Sequence, residues 1–156
     1  MDQVVISKIE SSDEKMNIVR EVLLDLPEYF GLEESTQEYI SKSSGYALWA
    51  AYDGDKLIGF ISLKETSPYT AEIYCMGMKR DYHRYGIGTK LYRAFNEYSR
   101  TRYEYEQVKT VAYGTYDIYD NTVNFYKSLG FRQLEVFHDL WEDNNPCLIM
   151  VKSTQI

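Results

Sequence analysis

Hydrophobic positions along this chain switch between a two-residue and a 3.6-residue period, and the switches mark out a series of strands and helices. Residues 4–9 read as a first strand. Ser11 to Glu14 has the Ser-x-x-Glu form of a capping box, and Ile18, Val19, Val22, Leu23 and Leu26 behind it share a helix face that Pro27 ends. A second short helix spans 35–43, and YALWAAY (46–52) reads as a strand. Asp53-Gly54-Asp55 is a hairpin signal leading into a third strand at 57–64. Residues 71–78 alternate Ile73, Cys75 and Gly77 with Tyr74, Met76 and Met78, a largely apolar pattern on both faces that predicts a buried strand. Gly77 inside it signals a bulge or a close backbone approach. A helix at 87–102 carries Ile87, Leu91, Phe95 and Tyr98 at helical spacing. Strands at 108–113 and 131–140 flank a helix that starts after Asp120 as N-cap, and 147–152 forms a last strand. The order βααβββαβαββ, without a repeat or linker, predicts one α/β (α+β) domain over residues 1–156.

The turn between the fourth strand and its helix, HRYGIGTKLY from His83 to Tyr92, carries the chemistry. Glycines at 86 and 88 let backbone N–H groups approach a ligand, and the first N–H groups of a helix favour anions. Lys79, Arg80, His83, Arg84 and Lys90 add positive charge. The letters do not spell a P-loop, since Asp81 stands where its first glycine would fall and Thr89 separates Gly88 from Lys90. Leu91 replaces the third glycine of a dinucleotide fingerprint.

His83-Arg84-Tyr85-Gly86-Ile87-Gly88 resembles motif A, [QR]xxGx[GA], of the GCN5-related N-acetyltransferases (GNAT), with His83 departing at the first position. Asp120 to Phe131, DNTVNFYKSLGF, resembles their motif B at Asn121, Phe125, Tyr126, Leu129, Gly130 and Phe131. The element order agrees, so the resemblance spans nearly the whole chain and implies a central mixed, mostly antiparallel sheet flanked by helices. It further implies acetyl-CoA as co-substrate, without a metal, and direct acetyl transfer to an amine. The coenzyme pyrophosphate then lies on His83, Arg84, Tyr85, Gly86, Ile87, Gly88 and Thr89, and its pantetheine arm along Met76, Gly77 and Met78, with Asn121 from motif B. Tyr126 matches the tyrosine that protonates the departing thiolate.

An amine must lose its proton before it attacks a thioester, so a base is required. Glu72, where many members of that family keep a glutamate, and Glu28 are the two candidates, and the sequence leaves both open. Glu28, Tyr29 and Phe30 fall between the first two helices, which border the acceptor site in the resembled family. A non-catalytic acyl-CoA-binding domain and a protein or peptide N-acetyltransferase are the alternatives.

A net charge of −7 argues against non-specific nucleic-acid binding, and no run approaches membrane-spanning length. The expected partner is a small amine or peptide, with a homodimer left open, and the N-terminus without a signal-peptide pattern predicts a cytoplasmic location. Cys75 and Cys147, in apolar strand runs without metal-ligand spacing, are expected as free thiols, and His138 as a structural residue in a strand.

Overall fold

The computed structural model describes residues 3–27, 33–83, 85–114, 117–141 and 146–155. Its elements are β1 (Val4–Ile9), α1 (Ser12–Leu24), α2 (Glu33–Ser43), β2 (Ala47–Asp53), β3 (Lys56–Ser67), β4 (Thr70–Met78), α3 (Ile87–Ser99), β5 (Tyr105–Val111), α4 (Asp117–Ser128), β6 (Arg132–Phe137) and β7 (Cys147–Ser153). This is the expected order, with one turn of 3-10 helix, Arg80–Tyr82, added before α3. The strands hydrogen-bond in the order β1-β2-β3-β4-β5-β7-β6. The β4–β5 pairing is parallel, while β1–β2, β2–β3, β5–β7 and β6–β7 are antiparallel, giving the mixed, mostly antiparallel sheet.

The chain forms two compact units, Met1–Lys64 with Tyr74–Tyr98, and Glu65–Ile73 with Ser99–Ile156. In the first, α1 starts as the capping box predicts: the Ser11 hydroxyl accepts the Glu14 N–H at 3.3 Å. Ile18, Val19, Val22 and Leu23 of α1 pack with Leu48, Ala50, Phe60 and Cys75. Trp49, on the opposite face of β2, meets Phe95 and Tyr98 of α3 at ring-centroid distances of 6.2 and 5.3 Å. Since side chains alternate along a strand, α1 and α3 cover opposite faces of β2.

In the second unit β4 and β5 run parallel from Thr70 opposite Tyr105 to Ile73 opposite Val108. β5 begins three residues before the apolar pattern of the sequence because Glu106 is buried there, directly opposite Lys152 of β7. A charged residue at an inward position hides a strand from hydrophobic periodicity. Burial pulls the Lys152 ammonium below its ordinary range, Glu106 opposes that pull, and the ammonium donates to the Leu129 carbonyl at 2.8 Å. Three other boundaries also differ from the sequence reading. α3 stops at Ser99, whose carbonyl accepts the N–H groups of Arg102 and Tyr103 at 2.9 and 2.8 Å as the chain turns. β6 stops at Phe137, which leaves His138 exposed beyond the strand. Asp120 lies inside α4 instead of capping it, and its carboxylate reaches back to accept the Gly114 N–H at 2.8 Å.

Candidate functional site

In the first unit the segment that leaves β4 is tied on three sides. Its Lys79 N–H donates to the Ile58 carbonyl of β3 at 2.7 Å, the Lys79 ammonium pairs with Glu21 of α1, and the Arg80 N–H donates to the Asp25 carboxylate at 2.7 Å. Two cations of the basic cluster are therefore engaged with α1 and its C-cap, and their charge serves to fix the segment. His83, the position that departs from the motif, is half-buried with its Nε2 2.7 Å from the Met78 carbonyl. A carbonyl only accepts, so the ring carries its proton on Nε2 and bonds the start of the loop to the end of β4.

The loop then turns at Gly86, whose φ of 74° lies in the left-handed region, and a Cβ there would meet nothing within 4 Å. The Gly86 carbonyl accepts the Lys90 N–H at 3.2 Å, which makes Gly86 the N-cap of α3. The N–H groups of Ile87, Gly88 and Thr89 consequently have no carbonyl partner within the helix and point toward the solvent side of the glycine turn. Ile87 and Leu91 are buried and anchor this first turn from below, while Tyr85 and Lys90 are exposed beside it. The site is an anion cradle built on backbone donors.

Met76, Gly77 and Met78 form the end of β4. A Cβ on Gly77 would come within 3.2 Å of Val22 and 3.4 Å of Leu26, so the expected close approach is to helix α1. A tighter one lies at Gly59 of β3, where a Cβ would stand 2.6 Å from the Gly77 carbonyl oxygen and 3.1 Å from Met78 Cα. Gly59 thus sets how near β3 lies to the end of β4. A lone glycine in the run LIGFISL is the signal that could have found it.

In the second unit, α4 ends in a Schellman motif: Phe131 N–H donates to Tyr126 O at 3.1 Å and Gly130 N–H to Lys127 O at 3.0 Å, with Gly130 at a φ of 102°. The Tyr126 ring packs edge-on to Phe131 at 5.9 Å and against Phe125 at 5.5 Å, and is buried. The helix terminus encoded by the final SLGF of motif B therefore fixes the ring of Tyr126. Asn121, one turn and more toward the N-terminus, is exposed.

Glu72 is buried on β4, in contrast to the exposed strand-end carboxylate that its position near the start of the strand would suggest. Its Oε1 accepts from Gln107 Nε2 at 2.9 Å and pairs with Lys109 Nζ at 3.3 Å. No local pattern announces either partner, because both come from the register of β5. Cys147, also buried, has its thiol pushed up to about 11 by desolvation, with Lys109 pulling it down and Glu72 pushing it up. Both cysteines are free thiols, as the sequence predicts. Of the remaining candidates, Glu28, Tyr29, Phe30 and Arg84 lie outside the described residues. Among the described residues no helix is long and apolar enough to cross a membrane, and no group of His, Cys, Asp or Glu side chains is placed to hold a metal ion.

A family model for the acetyltransferase (GNAT) family matches residues 16–131. A Bacillus subtilis (strain 168) protein described as the uncharacterized N-acetyltransferase YsnE is 30% identical over 105 residues, covering 67% of this chain and 68% of that protein. Among solved structures, a GNAT-family protein from Desulfovibrio desulfuricans superposes with a TM-score of 0.81 at 17% identity, covering 97% of this chain and 99% of that one. A GNAT family acetyltransferase from Elizabethkingia anophelis, solved with acetyl-CoA bound, does so with a TM-score of 0.75 at 16% identity over 98% and 99% of the two chains.

Proposed function

Because this chain belongs to the acetyltransferase (GNAT) family, we propose that it transfers the acetyl group of acetyl-CoA directly to a primary amine, with both substrates bound together. The observation that carries this reading is the N-terminus of α3. Gly86 as N-cap leaves the donors of Ile87, Gly88 and Thr89 open to an anion, with no side chain over the turn. A pyrophosphate fits that chemistry. Tyr85 and Arg84 flank it, and His83 supports it from behind through the Met78 carbonyl. The pantetheine arm follows Met76, Gly77 and Met78, and Asn121 joins from motif B. Glu72 takes the proton of the acceptor ammonium, the amine lone pair attacks the thioester carbon, the carbon–sulfur bond breaks, and Tyr126 protonates the thiolate. Glu28, Tyr29 and Phe30 border the acceptor, and Glu28 attracts its charge. The whole chain, 1–156, acts as one acetyltransferase domain.

Acetyl-CoA at about 100 times its Kd stabilises a protein that binds it only when folded by about 2.7 kcal/mol, or a melting shift of roughly 5–10 °C at this size. Gly86→Val and Gly88→Val are expected to abolish that shift by covering the backbone donors. If both variants bind coenzyme A like the wild type, the cradle assignment is wrong. A thiol-release screen of small amines and peptides with free N-termini then identifies the acceptor. Binding without turnover on any of them would leave an acyl-CoA-binding domain that does not catalyse.

A further inference from the structure

The surroundings of Glu72 reach beyond its assignment as a base. Glu72 is one of only two acidic residues among the buried polar and charged ones of the described chain, and Glu106, the other, faces Lys152 elsewhere on β5. A buried carboxylate is costly unless it is paired and hydrogen-bonded. The parallel register supplies both requirements: Gln107 stands directly opposite Glu72, and Lys109 projects from the same face of β5 two residues on. Among the described residues both donors fall on one oxygen, Oε1, at 2.9 and 3.3 Å. The arrangement clamps one side of the carboxylate and leaves Oε2 as the oxygen that can take a proton.

We propose that Lys109 is a positioning residue that keeps the Glu72 carboxylate charged and oriented, so that Oε2 receives the acceptor's proton. This rests on the reading of Glu72 as the base. The other group in electrostatic reach is the Cys147 thiol of β7, which burial keeps neutral well above neutral pH, so Lys109 supplies the one countercharge facing the carboxylate from β5 and β7. Gln107 orients without charge. A cation at this distance favours the ionised carboxylate, and its loss inside a buried site favours protonation. A Lys109→Met enzyme therefore needs a higher pH before Glu72 can act.

The test compares Lys109→Met, Lys109→Gln and Lys109→Arg with the wild type in two measurements. One is carboxyl-carbon NMR of 13C-glutamate-labelled protein, in which Glu72 is identified by the signal missing from Glu72→Gln. The other is the pH profile of kcat/KM for acetyl-CoA-dependent thiol release with the primary amine that turns over fastest. Lys109→Met is expected to move the Glu72 titration and the acid limb of the profile upward by about one pH unit or more. KM for acetyl-CoA should not move, and Lys109→Arg should restore both. Lys109→Gln, which keeps a donor but no charge, should behave as Met does, and it serves if Lys109→Met does not fold. A purely structural lysine would lower the melting temperature and leave both midpoints in place, which overturns the proposal. If Glu72→Gln turns over at the wild-type rate, the base assignment falls and this inference with it. If Glu72→Gln loses turnover while Lys109→Met and Lys109→Gln keep the wild-type limb, only the inference falls.

Discussion

Replacing Gly59 by alanine adds one methyl group at the tightest backbone contact found at a glycine of the first unit. The new Cβ would lie 2.6 Å from the Gly77 carbonyl oxygen, where ordinary contact begins near 3.4 Å, so β3 and the end of β4 must separate by about 0.8 Å. Met78 Cγ, 2.9 Å away, can swing aside, but the carbonyl and Met78 Cα belong to backbone. The neighbouring Lys79 N–H to Ile58 O bond, 2.7 Å long, stretches past hydrogen-bonding range if it absorbs that displacement. Overpacking of 1–3 kcal/mol together with about 1 kcal/mol for the weakened bond gives a loss of about 3 kcal/mol, or roughly 6–12 °C in melting temperature. Differential scanning calorimetry of the ligand-free protein measures it. Gly45→Ala, whose Cβ meets only Lys42 O at 3.8 Å, is the control and should stay within about 0.5 kcal/mol of the wild type. Because the displaced carbonyl lies in the strand assigned to the pantetheine arm, acetyl-CoA affinity should also fall by about tenfold, some 1.4 kcal/mol, measured by titration calorimetry below the variant's melting range. A Gly59→Ala protein that melts within about 1 °C of the wild type would refute the steric argument. One that is destabilised but binds acetyl-CoA normally would separate the strand end from the coenzyme site.

Tyr126→Phe keeps the ring that packs on Phe131 and removes only the hydroxyl, so the melting temperature and coenzyme affinity should hold while kcat falls about 10²-fold; an unchanged kcat would make the residue a packing aromatic. The Cys147 thiol titrates near 11 in the folded protein against an ordinary 9.0, so the stability it contributes is complete below pH 9 and is lost as pH rises through 11. Between pH 8 and about pH 10.5 the wild type should lose about 2 kcal/mol relative to Cys147→Ala, read as converging urea midpoints, and parallel curves would show that the buried thiol titrates normally.

The sequence by itself determined the elements whose signals are local. The capping box at Ser11–Glu14, the 3.6-residue face of α3 and the glycine that closes α4 depend on residues within one or two turns of each other, and each is found in the structure. The two glycines of the cradle and the motif around Tyr126 were legible for the same reason, since a helix N-terminus and a Schellman end are local conformations. Tertiary structure decided what depends on register. The sequence reading started β5 too late because Glu106 is polar yet inward-facing, and only the strand opposite it supplies the lysine that permits its burial. Lys79 and Arg80 read as charge for a phosphate but are held by Glu21 and Asp25, more than fifty residues earlier in the chain. His83 read as a ligand for the pyrophosphate, and its ring instead bonds the end of β4. Glu72 could be placed on its strand from the alternation around it, but Gln107 and Lys109 reach it through a parallel pairing that no local pattern encodes. A chain specifies its turns and helix ends from within, whereas the partners of a buried charge are set by which strand lies beside it.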